Sequence, residues 1–279
     1  MLFKGTEITF DSPQIMGILN VTPDSFSDGG KFTSASSALK HALDMVNSGA
    51  TFIDVGGEST RPGAKELSVQ EELDRVLPVV ELLNAELDTI ISIDTSKPQV
   101  MLAAVEAGAS LINDVRALSV PNALETAAHL AKSHGVPSCI MHMQGSPQNM
   151  QEAPEYNDVV AEIVAFFEKR LAQLIKAGFS SEQIIIDPGF GFGKTLGHNY
   201  AILNHLRQFT DLGLPVLAGM SRKSMIGNVI NKPVDERLAG DIAASTIAAI
   251  NGANIIRVHD VQQTADAMKI VQMVSKFNK

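Results

Sequence analysis

What the sequence lacks narrows its reading first. A single cysteine, Cys139, rules out an intramolecular disulfide, and its place in the apolar run Ser138-Cys139-Ile140-Met141 predicts a buried thiol in a reducing compartment. One thiol cannot supply a thiolate metal cluster, and no two of the seven histidines stand at the spacing of a helical zinc site. No stretch reaches the length of a membrane span, and residues 1–10, which carry Lys4 and Glu7, lack the apolar centre of a secretory signal. A soluble, cytoplasmic protein with no membrane partner is expected. Positive charge is short as well: 22 Lys and Arg against 31 Asp and Glu give a formal net charge of −9. With no basic block or stripe to override it, that balance argues against a nucleic-acid partner. Any anionic ligand must therefore be met by a local cluster of positive groups.

Three familiar motifs are also missing. The run Gly189-Phe190-Gly191-Phe192-Gly193-Lys194-Thr195 resembles a phosphate loop, yet Pro188 stands where the Walker pattern needs its first glycine. A dinucleotide fingerprint fails too, because its third glycine falls on Lys194 or Leu196. The run reads better as a backbone bend that lets a flat ligand approach. Gly219-Met220-Ser221-Arg222-Lys223 lacks the closing glycine of a nucleophile elbow, so Ser221 is not an acyl nucleophile, and Arg222 and Lys223 point toward anion binding instead.

What remains is a rhythm. The chain has 279 residues, 45% of them hydrophobic and 19% charged, which suits a packed core and the length of one α/β barrel, so residues 1–279 are read as a single domain. Short apolar runs alternate with helical segments. Strands are predicted over Ile15–Leu19, Phe52–Val55, Ile90–Ile93, Leu111–Asn113, Ser138–Met141, Ile184–Ile186, Pro215–Leu217 and Ile255–Val258, and the first helices over Ser34–Val46 and Val69–Leu87. About eight such cycles make a (β/α)8 TIM barrel, whose chemistry sits at the carboxyl ends of its strands.

Those ends are polar: Asn20, then Asp54, Asp94, Asn113 with Asp114, His142, Asp187, Ser221-Arg222-Lys223, and Arg257 with His259 and Asp260. Any one of them could simply cap the next helix, but all together point to one mouth. Asp94, Asn113 and Asp187 have no basic neighbour in sequence, so they ask for donors from a ligand. The paired amino and ring N–H groups of a pterin would satisfy a carboxylate bidentately, with Phe192 covering a face. Arg257 and His259 end the last strand and Asn20 the first, which barrel closure makes neighbours. Together they form an anion site, at which the Asn20 oxygen could hold both phosphate and Mg2+. Ser221-Arg222-Lys223-Ser224 opens a predicted helix whose N–H groups would favour a carboxylate or phosphate, or Ser221 caps a surface helix under solvated Arg222 and Lys223.

Longer motifs carry a family resemblance. Met16-Gly17-Ile18-Leu19-Asn20-Val21-Thr22-Pro23-Asp24-Ser25-Phe26-Ser27-Asp28-Gly29-Gly30 resembles the signature of the bacterial dihydropteroate synthases. So do Asp54-Val55-Gly56-Gly57-Glu58-Ser59-Thr60-Arg61-Pro62-Gly63, Ser92-Ile93-Asp94-Thr95, Ile112-Asn113-Asp114-Val115 and Met141-His142-Met143-Gln144-Gly145. The second half adds Asp187-Pro188-Gly189-Phe190-Gly191-Phe192-Gly193-Lys194, Ser221-Arg222-Lys223-Ser224 and Arg257-Val258-His259-Asp260. The resemblance covers nearly the whole chain. It implies a homodimeric barrel that condenses 6-hydroxymethyl-7,8-dihydropterin diphosphate with p-aminobenzoate in folate biosynthesis, and a sulfonamide target. It implies pterin contacts from Asp94, Asn113, Met141, Asp187, Phe192 and Lys223, and diphosphate contacts from Asn20, Thr60, Arg61, Arg257 and His259. Phe26, Thr60 and Ser221 match positions around p-aminobenzoate, and Asn20 with Asp28 would hold Mg2+. Catalysis would rest on Asn20, Asp28, Arg61, Lys223, Arg257 and His259. Asp241 departs from the small or hydroxyl residue of that pattern, and its place on a predicted helix puts it away from the site.

The chemistry agrees with the resemblance. Breaking the C–O bond of a pterin methyl diphosphate, in an SN1-like step, leaves a cation that the electron-rich ring delocalises, and the aromatic amine is already a neutral nucleophile. Such a site needs binding groups more than strong bases. A pterin-barrel methyltransferase acting from methyltetrahydrofolate to a corrinoid would share the acidic pocket but has no diphosphate to bind. A non-catalytic pterin-binding paralogue is disfavoured by intact Asn20, Arg257 and His259.

Overall fold

A computed structural model describes residues 1–21, 31–59, 66–145, 150 and 154–277, with only the backbone of 31–34. A short antiparallel hairpin, β1 (Leu2–Phe3) and β2 (Thr6–Glu7), precedes the barrel. Eight parallel strands follow: β3 (Gln14–Asn20), β4 (Phe52–Gly56), β5 (Ile90–Asp94), β6 (Leu111–Asp114), β7 (Ser138–Met141), β8 (Ile184–Asp187), β9 (Leu217–Ala218) and β10 (Ile255–Val258). Their order is β8-β7-β6-β5-β4-β3-β10-β9, and a bridge from Ile186 to Val216 joins the two ends. The barrel is a (β/α)8 TIM barrel.

The connecting helices are α1 (Lys31–Asn47), α2 (Val69–Glu86), α3 (Pro98–Ala107), α4 (Ala123–His134), α5 (Val159–Ala177), α6 (Leu196–Asn204), α7 (Arg207–Thr210), α8 (Ser224–Ile230), α9 (Leu238–Ile250) and α10 (Val261–Ser275). Local chemistry sets their ends. Ser68 and Glu71 close a capping box at the start of α2, the Asp158 side chain accepts from Val160 N and Ala161 N at the start of α5, and Gly178 ends α5 in the left-handed region.

Alternation along each strand explains the mouth. Met16, Phe52, Ile90, Leu111, Cys139, Ile185, Leu217 and Ile255 pack into one buried cluster, which the hairpin plugs with Phe3. Phe3 meets Phe52 edge to face at 5.1 Å between ring centroids. Side chains in a strand repeat every two residues, so two steps on the same interior face carries Ile18, Asp54, Ser92, Asn113, Met141, Asp187, Gly219 and Arg257. Two residues further on the same face come Asn20, Gly56 and Asp94. The barrel is apolar at the bottom and polar at the top because β4, β5, β6, β8 and β10 turn polar at the same level, with Asp54, Ser92, Asn113, Asp187 and Arg257, and β3 follows with Asn20.

Two elements differ from expectation. The strand at Pro215–Leu217 forms instead over Leu217–Ala218, because Pro215 has no N–H to give to a ladder, although its carbonyl accepts from Ile186 N at 3.0 Å. The hairpin was not anticipated, since two-residue strands carry no periodicity to read.

Candidate active site

On β4, β5, β6 and β10 the polar layer forms one network. Arg257 donates from Nε to Asp54 Oδ2 at 2.6 Å and from Nη2 to Asp94 Oδ2 at 2.8 Å, while Asn113 Nδ2 reaches the same Asp54 oxygen at 3.0 Å. Asp54 is fully buried, and its other oxygen, Oδ1, has no hydrogen-bond partner among the described residues. Asp94, which has no basic neighbour in sequence, therefore meets Arg257 in space, while Asn113 meets the carboxylate of Asp54. Burial pushes the Asp94 carboxyl up to about 7, against the pull of Arg257. Burial also weakens the Arg257 guanidinium's hold on its proton, but Asp54 and Asp94 more than reverse this and leave it above its ordinary value.

Asp187 ends β8 beside the glycine run. Its Oδ1 accepts from Gly189 N at 2.7 Å, and Oδ2 accepts nothing from the described residues. Burial raises its carboxyl, offset by Lys223 and the Gly189 N–H. Lys223 crosses the glycine run, with Nζ 2.5 Å from Phe190 O and 4.6 Å from the centre of the Phe192 ring. Burial pushes the Lys223 amine down to about 8, resisted by Asp187. Gly189 is obligatory here: it has φ +74°, and a Cβ on it would stand 2.0 Å from His142 O. Phe192 joins Val115, Met141 and Met150 in a small buried cluster that gives the polar groups an apolar wall. Beside it a cavity of about 440 Å3 opens along Val115, Met141, Met143 and Phe166.

Asn20, Ser221 and His259 stand on the β3, β9 and β10 side. Strands β3 and β10 are paired, as barrel closure requires. Ser221 Oγ lies 3.1 Å from His259 Nδ1 and accepts from His259 N at 3.3 Å. Arg222 does not join them. Its guanidinium turns outward to Asp260, with Nη2 to Oδ1 at 2.9 Å and Nε to Oδ2 at 3.3 Å. Lys223 goes to the glycine run, so the basic tripeptide is divided among different partners. Helix α8 has only seven residues, which leaves little dipole to favour an anion at its start.

Asp241 is a correction. It was expected away from the site on its helix, yet it is buried and accepts from Arg222 N and from Ser221 Oγ. Burial raises its carboxyl, and the Arg222 N–H pulls it back. Sequence reading also left Asp54 and Lys194 without roles. Lys194 is buried against neutral acceptors, at 3.1 Å from His142 Nδ1, 3.2 Å from His142 O and 3.0 Å from Phe192 O. Burial pushes it down to about 7, while burial and the Lys194 charge push His142 down to about 3. Phe26, Asp28, Thr60 and Arg61 lie outside the described residues.

Among the described residues no group of three or more His, Cys, Asp or Glu could hold a metal ion. Mg2+ needs no such cage, since it keeps several waters and takes phosphate oxygens. The Asn20 side chain makes no hydrogen bond to the described residues and is exposed at the mouth, which fits a Mg2+ shared with phosphate.

The model of the pterin binding enzyme family matches residues 16–259. A dihydropteroate synthase of Escherichia coli strain K12 is 54% identical over 278 residues, 99% of this chain and 97% of that one. The chain belongs to the dihydropteroate synthase family. Two solved structures agree. A Yersinia pestis dihydropteroate synthase in a sulfonamide drug complex superposes with a TM-score of 0.93 at 51% identity, covering 99% of both chains. A Xanthomonas albilineans dihydropteroate synthase in complex with 7,8-dihydropteroate gives 0.86 at 46% identity, covering 96% of this chain and 95% of that one. Dihydropteroate synthases are pterin-binding transferases of folate biosynthesis, and the polar mouth described above is this member's candidate for that chemistry.

Proposed function

We propose that this dihydropteroate synthase family member joins 6-hydroxymethyl-7,8-dihydropterin diphosphate to p-aminobenzoate, giving 7,8-dihydropteroate and diphosphate. The observation that carries the reading is the juxtaposition of an acceptor-rich wall, Asp94, Asn113 and Asp187, with a donor side formed by Arg257, His259 and Asn20. The Xanthomonas relative, which holds 7,8-dihydropteroate, supports the product.

Asp187 uses one oxygen on Gly189 N, which fixes the carboxylate, and offers the other to the pterin. Phe192 and Met141 supply an apolar face for the ring, and Lys223 lies over the Phe192 ring beside it. Asp54 and Asp94 hold the Arg257 guanidinium flat in the mouth. Its Nη1 makes no hydrogen bond to the described residues and is the donor left for the leaving diphosphate. As the C–O bond breaks, its electron pair leaves with the diphosphate oxygen. The aromatic nitrogen then bonds the methylene carbon and gives up one proton. Asn20, with Asp28, would hold Mg2+, which when bound neutralises charge on the departing phosphates. Phe26, Thr60 and Ser221 are proposed for p-aminobenzoate, and Thr60 and Arg61 for the diphosphate.

We also propose that residues 1–279 act as one domain, in the cytoplasm and as a homodimer. Among the described residues no helix is long and apolar enough to cross a membrane. Leu238, Ile247 and Ile250 of α9 and Ile270, Met273 and Val274 of α10 are exposed apolar side chains on neighbouring helices, a face that suits a second copy.

The test is a turnover assay with pterin diphosphate, p-aminobenzoate and Mg2+, following dihydropteroate and diphosphate together. Equal amounts of both are expected. Binding of the pterin with no turnover would leave a pterin-binding paralogue instead.

A further inference from the structure

Asp241 stands in the first turn of α9, a helix otherwise built from apolar and small residues, and only 3% of it is exposed. Its carboxylate takes the Arg222 N–H between both oxygens, at 3.1 Å to Oδ1 and 3.0 Å to Oδ2, and lies 3.4 Å from Ser221 Oγ through Oδ2. Arg222 has φ +61°, the left-handed region that a non-glycine residue enters only at a cost. The same helix start holds the other side of that residue, since Arg237 Nη1 donates to Arg222 O at 2.8 Å. The turn after β9 is thus clamped from α9 at both its N–H and its carbonyl. This geometry brings Ser221 against His259 while sending Arg222 to Asp260 and Lys223 to Phe190 O.

The hydroxyl has one proton to place. A carboxylate only accepts, so the Ser221 proton points to Asp241, and the 3.1 Å contact to His259 Nδ1 then requires Nδ1–H to donate to Ser221 Oγ. The Nδ1 edge of the imidazole is therefore held by Ser221, which fixes the ring's orientation. We propose that Asp241 is a positioning residue for the anion side of the mouth, fixing the Ser221-Arg222 turn and, through the Ser221 hydroxyl, the tautomer and orientation of His259. The proposal rests on the synthase reading only for its kinetic consequence; the tautomer is independent of it.

The test compares Asp241→Asn, Asp241→Glu and Ser221→Ala with the unaltered protein. Asp241→Asn places an NH2 donor in the clamp, which lets Ser221 turn its proton toward His259. The 15N resonances of His259, assigned by their loss in His259→Gln, should show Nδ1 protonated in the neutral ring of the unaltered protein and a shift toward Nε2–H in Asp241→Asn. Turnover should fall by about tenfold to a hundredfold, as when the outer partner of a functional histidine is lost, while calorimetric affinity for the bare pterin stays unchanged. Asp241→Glu, which keeps the charge, should recover part of both signals. Ser221→Ala breaks the link to His259 but leaves the Arg222 clamp, so it should lose the Nδ1–H signature even if Asp241→Asn fails to fold. Unchanged His259 resonances in Asp241→Asn, or in Ser221→Ala where the first variant does not fold, would overturn the proposal. So would a loss of turnover matched by an equal loss of pterin affinity and melting temperature. If the unaltered protein makes no dihydropteroate, the functional reading fails, and the resonances still decide the role of Asp241.

Discussion

Arg257 Nε lies 2.6 Å from Asp54 Oδ2, joining residues 203 positions apart across the interior of the barrel. Through this contact the first half of the chain orients the cation that the last strand supplies.

Breaking that pair should be costly. Asp54→Ala leaves Arg257 with Asp94 alone and removes the acceptor of Asn113 Nδ2. Leaving these donors short of an acceptor should cost about 1–3 kcal/mol, since Asp94 still compensates the charge of Arg257. Urea denaturation should show this as a lower midpoint at unchanged slope. A midpoint equal to that of the unaltered protein would mean that Arg257 is not held by Asp54.

Asp187→Asn replaces an acceptor with a donor facing the pterin's own N–H groups. One buried mismatch should weaken pterin binding by about 1–3 kcal/mol, on the order of ten- to a hundredfold. Calorimetric titration of a bare pterin measures it, and an unchanged affinity would remove Asp187 from the pocket.

Arg257→Ala should slow C–O cleavage by roughly a hundredfold or more, the usual effect of losing a donor aimed at developing charge. Arg257→Lys should recover little, because an ammonium cannot bond Asp54, Asp94 and a phosphate from one plane. Single-turnover kinetics separates this from binding, and a normal rate of diphosphate release in Arg257→Ala would contradict the assignment.

Lys194 should leave a mark on stability. Its amine is pushed down to about 7 by burial, from an ordinary value of 10.5. Between those values the unfolded chain binds more protons than the folded one. The stability it contributes is therefore complete above 10.5 and shrinks as pH falls toward 7. Lys194→Met should make the loss of stability from about pH 9.5 to about pH 7.5 visibly smaller. Lys223, also lowered, keeps part of the slope in the variant. Denaturation at the two pH values checks this, and an identical slope in both proteins would show that Lys194 is not held in a depressed state.

The barrel was legible because its strands are short β-branched or apolar runs with a polar residue at or soon after the end, as in Ile184–Asp187 and Ile90–Asp94. The mouth was legible for the same reason: the residues ending those runs converge wherever eight parallel strands close. Pairing was not legible. Nothing near Asp94 in sequence announces Arg257, because the two meet only through closure of the sheet. Asp241 was misplaced because helix position predicts which face a residue occupies but not what faces it. Its signal was an acidic residue among the apolar and small residues of Leu238–Ile250, since a buried carboxylate needs donors. Asp54 had a similar signal, a carboxylate inside the fully buried run Phe52–Gly56.

In the proposed reaction this mouth cleaves carbon from oxygen and stabilises the departing diphosphate. That cleavage is tested most directly with pterin diphosphate carrying 18O in the bridging oxygen, incubated with p-aminobenzoate and Mg2+ and analysed by mass spectrometry. All of the label is expected to leave in the diphosphate while unlabelled 7,8-dihydropteroate accumulates in equal amount. Label retained in a hydroxymethyl pterin would mean phosphorus–oxygen cleavage and would contradict the proposed reaction.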